Sequence, residues 1–472
     1  MRFTLRDYQD VAVNDIRWGY ADGYVAPILT LPTGSGKTVV FSYIAESAAL
    51  KGNRVLILVH RRELLRQTSR TLDDFGVRHG SIAAGMTFTD NLVQVASVQT
   101  LVNRMKIMEW APDLIIVDEC HHATNKTTWG KVLAHYPQAK ILGVTATPQR
   151  LDGQGLGKCA GGIFDKLIVG PTVAQLTEAG HLSPAIIFAP PHRIDLSGVH
   201  TRGGDYIPSE VAEAVDKPTV TGDAVDHYRK LCSGEPALAF CASVAHAEHV
   251  AESFCAAGYR AASIDGKMDT ATRAQRIEDL GSGRLQVLTA CEIVSEGTDI
   301  PVVSVAILLR PTQSLGLYLQ QVGRVLRPAP GKTRAVILDH VGNVFRHGMH
   351  DDEREWSLEG RKKGERKKTE ENNDVRQCPQ CYSVTPKTEP YCANCGYEFP
   401  DKTRSVAYVD GTLEQIDAEE IRRLAKARKA KTEQGRAKTF EELVALGISR
   451  GYRNPFAWAT FVWRARAGRV AA

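Results

Sequence analysis

The sequence predicts an α/β protein built from two tandem parallel-sheet units, followed by a small cysteine-bound segment and a helical tail. Three observations predict it. Short apolar runs alternate with helix-length stretches, first up to about residue 170 and again from about 237 to 338, the pattern of parallel sheets covered on both faces. The first of these runs, residues 28–31, leads directly into a glycine turn and then a helix. Four of the ten cysteines are gathered between Cys378 and Cys395, beyond a run of mixed charge.

At 472 residues the chain is long enough for about two to four domains;. A hydrophobic fraction of 43% and a charged fraction of 24% describe a soluble globular protein;. No apolar run approaches the roughly eighteen residues of a membrane span, and the opening MRFTLRDYQ lacks the apolar core of a signal peptide;. The cytoplasm is the expected compartment. The net charge of +5 allows a nucleic-acid partner without requiring one;.

The first unit opens with a polar entry to a helix, Thr4-Leu5-Arg6-Asp7-Tyr8-Gln9. The stretch from Ala26 to Lys51 then reads as strand, loop and helix. Its centre, Thr33-Gly34-Ser35-Gly36-Lys37-Thr38, is a phosphate cradle: backbone N–H groups and the helix N-terminus point at an anion, and the glycines let the backbone come close. Lys37 would reach the β- and γ-phosphates and Thr38 would hold Mg2+. The strict P-loop pattern asks for glycine where Leu31 stands, so a plain glycine turn starting a helix is the competing reading.

Further strands are expected at residues 54–59, 92–97, 114–117 and 141–144. The third ends in Asp118-Glu119-Cys120-His121-His122 and the fourth in Thr145-Ala146-Thr147-Pro148. Ligands gather at the carboxyl ends of parallel strands, so these clusters can converge on the phosphate loop. Asp118 is assigned to the metal and Glu119 to the general base that polarises an attacking water. The adjacent histidines are not read as metal ligands, because consecutive residues rarely face one cation. Residues 151–170 are glycine-rich and read as a loop, and residues 184–188 as a strand broken by Pro190-Pro191.

The second unit has strands at 237–241, 261–264, 285–289, 303–309 and 335–338. His246 and His249 lie on a helix between the first two, read as a solvated face. A helix is expected over 315–326, and the stretch from Gln320 through Arg324 to Arg327 is read as lying on it. Two arginines three apart share a helix face and suit an anion; an exposed basic face is the plainer alternative.

Beyond it, Cys378, Cys381, Cys392 and Cys395 form C-x2-C-x10-C-x2-C, two knuckles suited to tetrahedral Zn2+. So short a segment would draw its folding energy from the metal. Residues 418–436 are basic with helical character, and Asn454-Pro455 begins a last helix with Phe456, Trp458, Phe461 and Trp463. Its aromatics suit packing on the preceding helix or stacking on bases.

Together the motifs resemble the superfamily 2 DEAD/DEAH-box helicases, with two RecA-like P-loop NTPase domains facing each other. LRDYQ is similar to the adenine-recognition motif, LPTGSGKT to motif I, DECHH to motif II, TATP to motif III, VSEGTDIP to motif V and QQVGRVLR to motif VI. VHRREL, SVQT and the FCAS turn resemble strand-contacting motifs. The stretch LRPTQSLGLYLQQVGRVLR with a following cysteine cluster resembles RadD-type DNA-repair helicases and their phage or prophage relatives. The resemblance implies that Gln9, with Arg6 and Tyr8 beside it, reads the base, and that Thr33, Gly34, Ser35, Gly36, Lys37 and Thr38 hold the phosphates. It implies that Gly297 and Asp299 line the cleft opposite, that Arg324 and Arg327 contact the γ-phosphate, and that Gln320 and His121 couple the two halves. Thr145 and Thr147 would relay nucleotide state to the strand-binding face.

The expected organisation is a first RecA-like domain at 1–185, a linker at 186–218, a second RecA-like domain at 219–347, a charged linker at 348–377, a zinc ribbon at 378–400 and a basic helical tail at 401–472. The expected activity is ATP- and Mg2+-dependent movement along, or unwinding of, single-stranded or forked DNA without sequence preference, by a monomer serving repair, recombination or replication. A single-strand-binding or other repair protein is a candidate partner. The alternatives are a duplex translocase that does not separate strands, an RNA helicase, and a scaffold in which ATP only switches affinity.

Overall fold

The computed structural model describes residues 4–150, 153–189, 196, 198–216, 218–291, 300–360, 374–400, 437, 439–452 and 454–467. They form two compact units that divide after Asp401. The first holds two parallel sheets. Sheet one comprises β1 (Pro27–Thr30), β2 (Val55–Val59), β3 (His79–Ile82), β4 (Val93–Ser97), β5 (Leu114–Asp118), β6 (Lys140–Thr145) and β7 (Lys166–Val169). Their spatial order is β3-β4-β2-β5-β6-β1-β7, every pair parallel. β5, β6 and β1 are neighbours, so their carboxyl ends set the acidic pair, Thr145–Thr147 and the glycine loop side by side. β2 and β5 are buried along their whole length, as strands covered on both faces must be;.

Sheet two comprises β8 (Ala185–Phe188), β11 (Ala237–Phe240), β12 (Ala261–Ile264), β13 (Val287–Ala290), β14 (Val305–Leu308) and β15 (Ala335–Asp339). Its order is β12-β13-β11-β14-β15-β8, again all parallel. Between β8 and β11 lies a two-stranded hairpin, β9 (Thr201–Arg202) and β10 (Asp205–Tyr206).

Several expectations change. Residues 185–188 are not the end of the first domain and the start of a linker: β8 is the edge strand of sheet two, paired with β15. The helix Pro208–Val215, inside the expected linker, buries Val211 and Val215 in the core of sheet two. β3 and β7 were not anticipated; both are short edge strands, and β7 lies inside the stretch read as a loop. His246 is fully buried, not solvated: its Nδ1 accepts from the Ala242 N–H, while His249 pairs with Asp216 at 3.0 Å. Burial holds the His246 imidazole below its ordinary pKa.

The expected charged linker also has a defined course over its first part. After the helix Asn343–His347 the chain runs back to sheet one. The Arg354 guanidinium donates to the carbonyls of Met349 at 2.6 Å and Asp352 at 2.8 Å, which folds the turn. Leu358 then packs on the first domain's core, its carbonyl accepts from the Gly157 N–H at 2.9 Å, and Gly360 bridges Gln154. The glycines of 153–157 are the seat of this strap. A Cβ at Gly155 would collide with the Leu358 carbonyl, and one at Gly157 would stand 2.8 Å from the Leu358 Cβ.

The cysteine segment docks beside the edge of sheet two. β16 (Val375–Gln377) and β17 (Val384–Pro386) form an antiparallel pair. Val375 and Val384 join the second domain's core, Ser383 bridges Phe188 on the edge strand β8, and Gln377 donates to the Ala189 carbonyl. The segment therefore has apolar support besides any metal.

In the second unit, the helix Phe440–Ser449 is closed by a capping box between Thr439 and Glu442, and Asn454 Oδ1 accepts from the Ala457 N–H at the start of the helix Pro455–Ala467. Leu443, Ala459 and Val462 pack between the two helices. Trp458 joins them, while Phe456 and Trp463 stay exposed. Both nonetheless meet the Phe440 ring of the preceding helix edge-on, with centroids 5.3 and 6.2 Å apart, so packing on that helix involves them as well. The basic stretch 418–436 lies outside the described residues. Among the described residues no helix is long and apolar enough to cross a membrane.

The strap yields a test. Gly155→Ala is expected to cost about 1–3 kcal/mol through overpacking and to expose residues 348–360 to protease. Thermal melting and limited proteolysis with mass mapping check it; an unchanged melt and cleavage pattern would contradict the docking described.

Candidate active site

The glycine loop takes its shape from two residues that no side chain suits. Gly34 and Gly36 hold φ of +89° and +82°, in the left-handed region;. Gly36 caps the helix Lys37–Ala49, and a Cβ there would lie 2.6 Å from Gln9 Nε2. Buried Ser35 donates to the Pro32 carbonyl at 2.8 Å. Its own carbonyl accepts from the Tyr8 hydroxyl at 2.6 Å and from Gln9 Nε2 at 3.1 Å, while Gln9 Oε1 accepts from the Arg6 N–H at 3.0 Å. In this arrangement the Gln9 amide braces the loop from behind. Leu31 is a core residue of sheet one, so its position serves packing.

Around the loop lies a cavity of about 280 Å³ lined by Arg6, Thr33, Gly34, Gly36, Lys37, Thr38, Asp118, Glu119, Arg324 and Arg327. Most of the predicted set therefore converges. Lys37 is half-buried and donates to the carbonyls of Leu31 and Pro32, each at 3.3 Å. Burial lowers its pKa; Glu119 and Asp118 oppose that shift, and Arg324 and Arg327 add to it. Asp118 Oδ1 accepts from the Glu119 N–H at 3.0 Å. Glu119 itself has a φ of +49°, a strained conformation for a non-glycine residue and one that aims its carboxylate off the strand end;.

From Glu119 a polar chain runs along the strand ends. His121 Nδ1 lies 3.4 Å from Glu119 Oε2 and 2.9 Å from Thr145 Oγ1, contacts that suit a proton on Nδ1;. Thr145 Oγ1 accepts from the Thr147 N–H at 3.2 Å. His121 and Thr147 line a second, larger groove of about 620 Å³ between the domains, and so does Gln320. The chain thus reaches from the phosphate cavity to that groove.

The arginines need a correction. The helix carrying them ends at Gly323, and Arg324 is its C-cap. Arg327 lies beyond it, before Pro328, where helical backbone is disfavoured. The two guanidiniums share a cleft wall and not a helix face. Sequence spacing also gave no sign of what fixes that wall. Lys332 Nζ donates to the carbonyls of Val303, Val325 and Arg327 at 2.6–2.8 Å, tying down the segment behind both arginines. Burial, with Arg327 nearby, pulls the Lys332 ammonium down to about 8. Gly323 packs on Thr33 so closely that a Cβ would collide with it, and Arg273 of the second domain pairs with Glu63 of the first at 3.3 Å. Gly297 and Asp299 lie outside the described residues; Pro301, just after them, lines the cavity.

The four cysteines lie apart from this cleft. Cys378, Cys381, Cys392 and Cys395 place one Sγ each within 4.8 Å of one another. The Cys378–Cys395 and Cys381–Cys392 sulfurs are 3.6 Å apart, a spacing that fits four thiolates around one ion;.

Two parallel sheets contributing opposite walls to one phosphate-binding cavity define a two-domain P-loop nucleotide hydrolase. Residues 2–150 match the family described as type III restriction enzyme, res subunit, and residues 223–329 match the helicase conserved C-terminal domain. A 51.5 kDa protein of a Lactococcus phage (isolate 7-9) is 35% identical over 395 residues, which is 83% of this chain and 82% of that protein. The Saccharomyces cerevisiae protein IRC3, provisionally named an ATP-dependent helicase, is 30% identical over 364 residues. That match covers 72% of this chain and 52% of IRC3, so the chain spans about half the length of this relative. A solved fragment assigned as the HsdR subunit of a type I restriction enzyme from Vibrio vulnificus YJ016 shares the fold, with a TM-score of 0.58 at 21% identity over 73% of this chain and 66% of that one. The chain belongs to the superfamily 2 helicases of the DEAD/DEAH-box kind.

Proposed function

We propose that the chain is a DNA-stimulated ATPase that moves along, or unwinds, single-stranded or forked DNA. The observation that carries this is the cavity that gathers Lys37, Thr38, Asp118 and Glu119 from one sheet and Arg324 and Arg327 from the other. A site split between two bodies makes hydrolysis and domain movement one event. Lys37 and the two arginines bind the γ-phosphate and stabilise the charge that spreads over its oxygens as the bond to the bridging oxygen breaks. Glu119 takes the proton of the attacking water. Thr38 and Asp118 are the residues to hold Mg2+, which neutralises phosphate charge when bound. Thr33, Gly34, Ser35 and Gly36 supply backbone donors, and Arg6, which lines the cavity, would read the base with Gln9 beside it. Loss of the γ-phosphate releases the arginines, and the change passes through His121, Thr145 and Thr147 toward the larger groove, where Gln320 also lies.

A strand held across both domains by its phosphates would advance with each cycle, without sequence preference. The RadD-like wording of the second domain supports repair, recombination or replication as the setting, in the cytoplasm, by a monomer, with a single-strand-binding protein as a candidate partner. The match of residues 2–150 to a restriction-enzyme family favours a second reading, duplex translocation without strand separation. The Cys378, Cys381, Cys392 and Cys395 cluster is proposed to hold structural Zn2+.

ATPase rate without nucleic acid and with single-stranded DNA, duplex DNA or RNA, beside strand displacement on a forked duplex, tests the motor reading. Single-stranded or forked DNA should stimulate most and the fork should open. Stimulation by duplex without displacement would favour the second reading, and indifference to every nucleic acid would end both. In the same assay Glu119→Gln should retain ATP binding and lose about 10²–10⁴-fold in turnover; undiminished turnover would remove Glu119 from its role.

The metal proposal is checked by elemental analysis and melting. Stoichiometric zinc should copurify, and chelation should lower the melting temperature because Val375 and Val384 leave the second core. A zinc-free chain that melts unchanged after chelation contradicts it.

A further inference from the structure

The hairpin formed by β9 and β10 belongs to none of the recurring motifs, yet the structure spends specific contacts on holding it still. With two residues per strand it has no stability of its own. Its turn, Gly203-Gly204, holds φ of +65° and +96°, the positive values that a tight two-residue hairpin connection requires;. Asp205 anchors it to the second domain. That carboxylate accepts from the Thr312 hydroxyl at 2.9 Å and from the Gln313 N–H at 2.6 Å, and lies 3.8 Å from the Arg310 guanidinium. Tyr206 sits beneath the Arg346 guanidinium, 5.4 Å from its ring centroid.

The anchor presents an exposed arginine, Arg202, at the rim of the 620 Å³ groove between the domains. Three other arginines line that groove: Arg61 and Arg150 from the first domain and Arg310 from the second. The single carboxylate among its lining residues is Asp205, which the anchor already uses. The lining thus carries four guanidiniums to one carboxylate, and Arg202 is the cation that the hairpin contributes to it. A guanidinium on a rigid tip at the edge of a positive groove matches a phosphodiester oxygen, which it can meet with paired N–H groups.

We propose that this hairpin is a nucleic-acid contact in which Arg202 grips a backbone phosphate and, through Asp205, carries it with the second domain. The proposal rests on the nucleic-acid reading above and adds a residue outside the motifs. The contact follows the second domain, so it would hold its phosphate while the first domain's wall, with Arg61 and Arg150, moves past.

The test uses the full chain and fluorescein-labelled single-stranded DNA, with RNA of equal length as a parallel arm. Equilibrium binding is followed by anisotropy from about 0.05 to 0.2 M salt, the range over which counter-ion release is read. Arg202→Ala should weaken binding about fivefold near 0.1 M salt and flatten the slope of log affinity against log salt by about 0.7, the loss of one phosphate contact on a single strand. Arg202→Lys should restore the slope, which a merely structural role for the side chain would not do. A loss confined to one arm identifies DNA or RNA as the strand gripped. Arg202→Ala with the wild-type affinity and slope in both arms overturns the hairpin contact alone. Wild-type chain that binds neither strand overturns the nucleic-acid reading and the hairpin with it.

Discussion

The close packing of Gly323 on Thr33 is the constraint on which the rest of the site depends. It brings the second domain's arginine segment against the first domain's phosphate loop with no side chain between them, and so sets the width of the cleft. Everything nearby serves that spacing. Lys332 fixes the backbone behind Arg324 and Arg327, the Gln9 amide and Tyr8 hydroxyl brace the loop from the other side, and Arg273 and Glu63 pair across the domains. The half-buried Lys37 has its ammonium destabilised by burial, with Glu119 and Asp118 opposing and the two arginines adding to that effect. An anion bound in this cavity would meet all three cations;. On the proposed function, a cleft built this way would sense whether a γ-phosphate is present, because the anion would be met from both walls.

Features outside the recurring motifs also link the two domains. The two domains are joined by the segment between β7 and β8 and a second time by the strap that ends on Leu358 and Gly360. Two connections restrict the ways the cleft can open more than one would. The cysteine segment docks at the end of the edge strand β8, through the Phe188–Ser383 bridge and the Gln377 contact with Ala189.

Much of this was legible in the sequence, for reasons particular residues show. Continuous apolar runs such as residues 55–59 and 114–117 could only be strands buried on both faces, and their boundaries fall within a residue or two of those expected. The phosphate loop and the acidic pair carried their chemistry in spacing alone, and the parallel order placed them together. Tertiary position was not legible. β7 is a four-residue edge strand in a glycine-rich stretch, and those glycines looked like slack until the strap was seen lying on them. Arg324 and Arg327 suggested a helix face, but Pro328 and Lys332 end the helix and hold the arginines by backbone contacts that leave no mark on spacing. His246 read as solvated because its burial depends on neighbours distant in sequence. Asp205 fell within the expected linker and drew no reading, since its partners Thr312 and Gln313 lie more than a hundred residues away.

The central claim is that the γ-phosphate closes the cleft through the arginine wall. Cys159 in the first domain and Cys255 in the second are both exposed, and they offer native sites for a donor and acceptor dye. Energy transfer between them, measured with a non-hydrolysable ATP analogue and again with ADP, reads the closure directly. The account predicts a shorter distance with the analogue, and no difference between the two nucleotides once Arg327 is replaced by alanine. Equal distances in the two nucleotide states of the wild-type chain would contradict it.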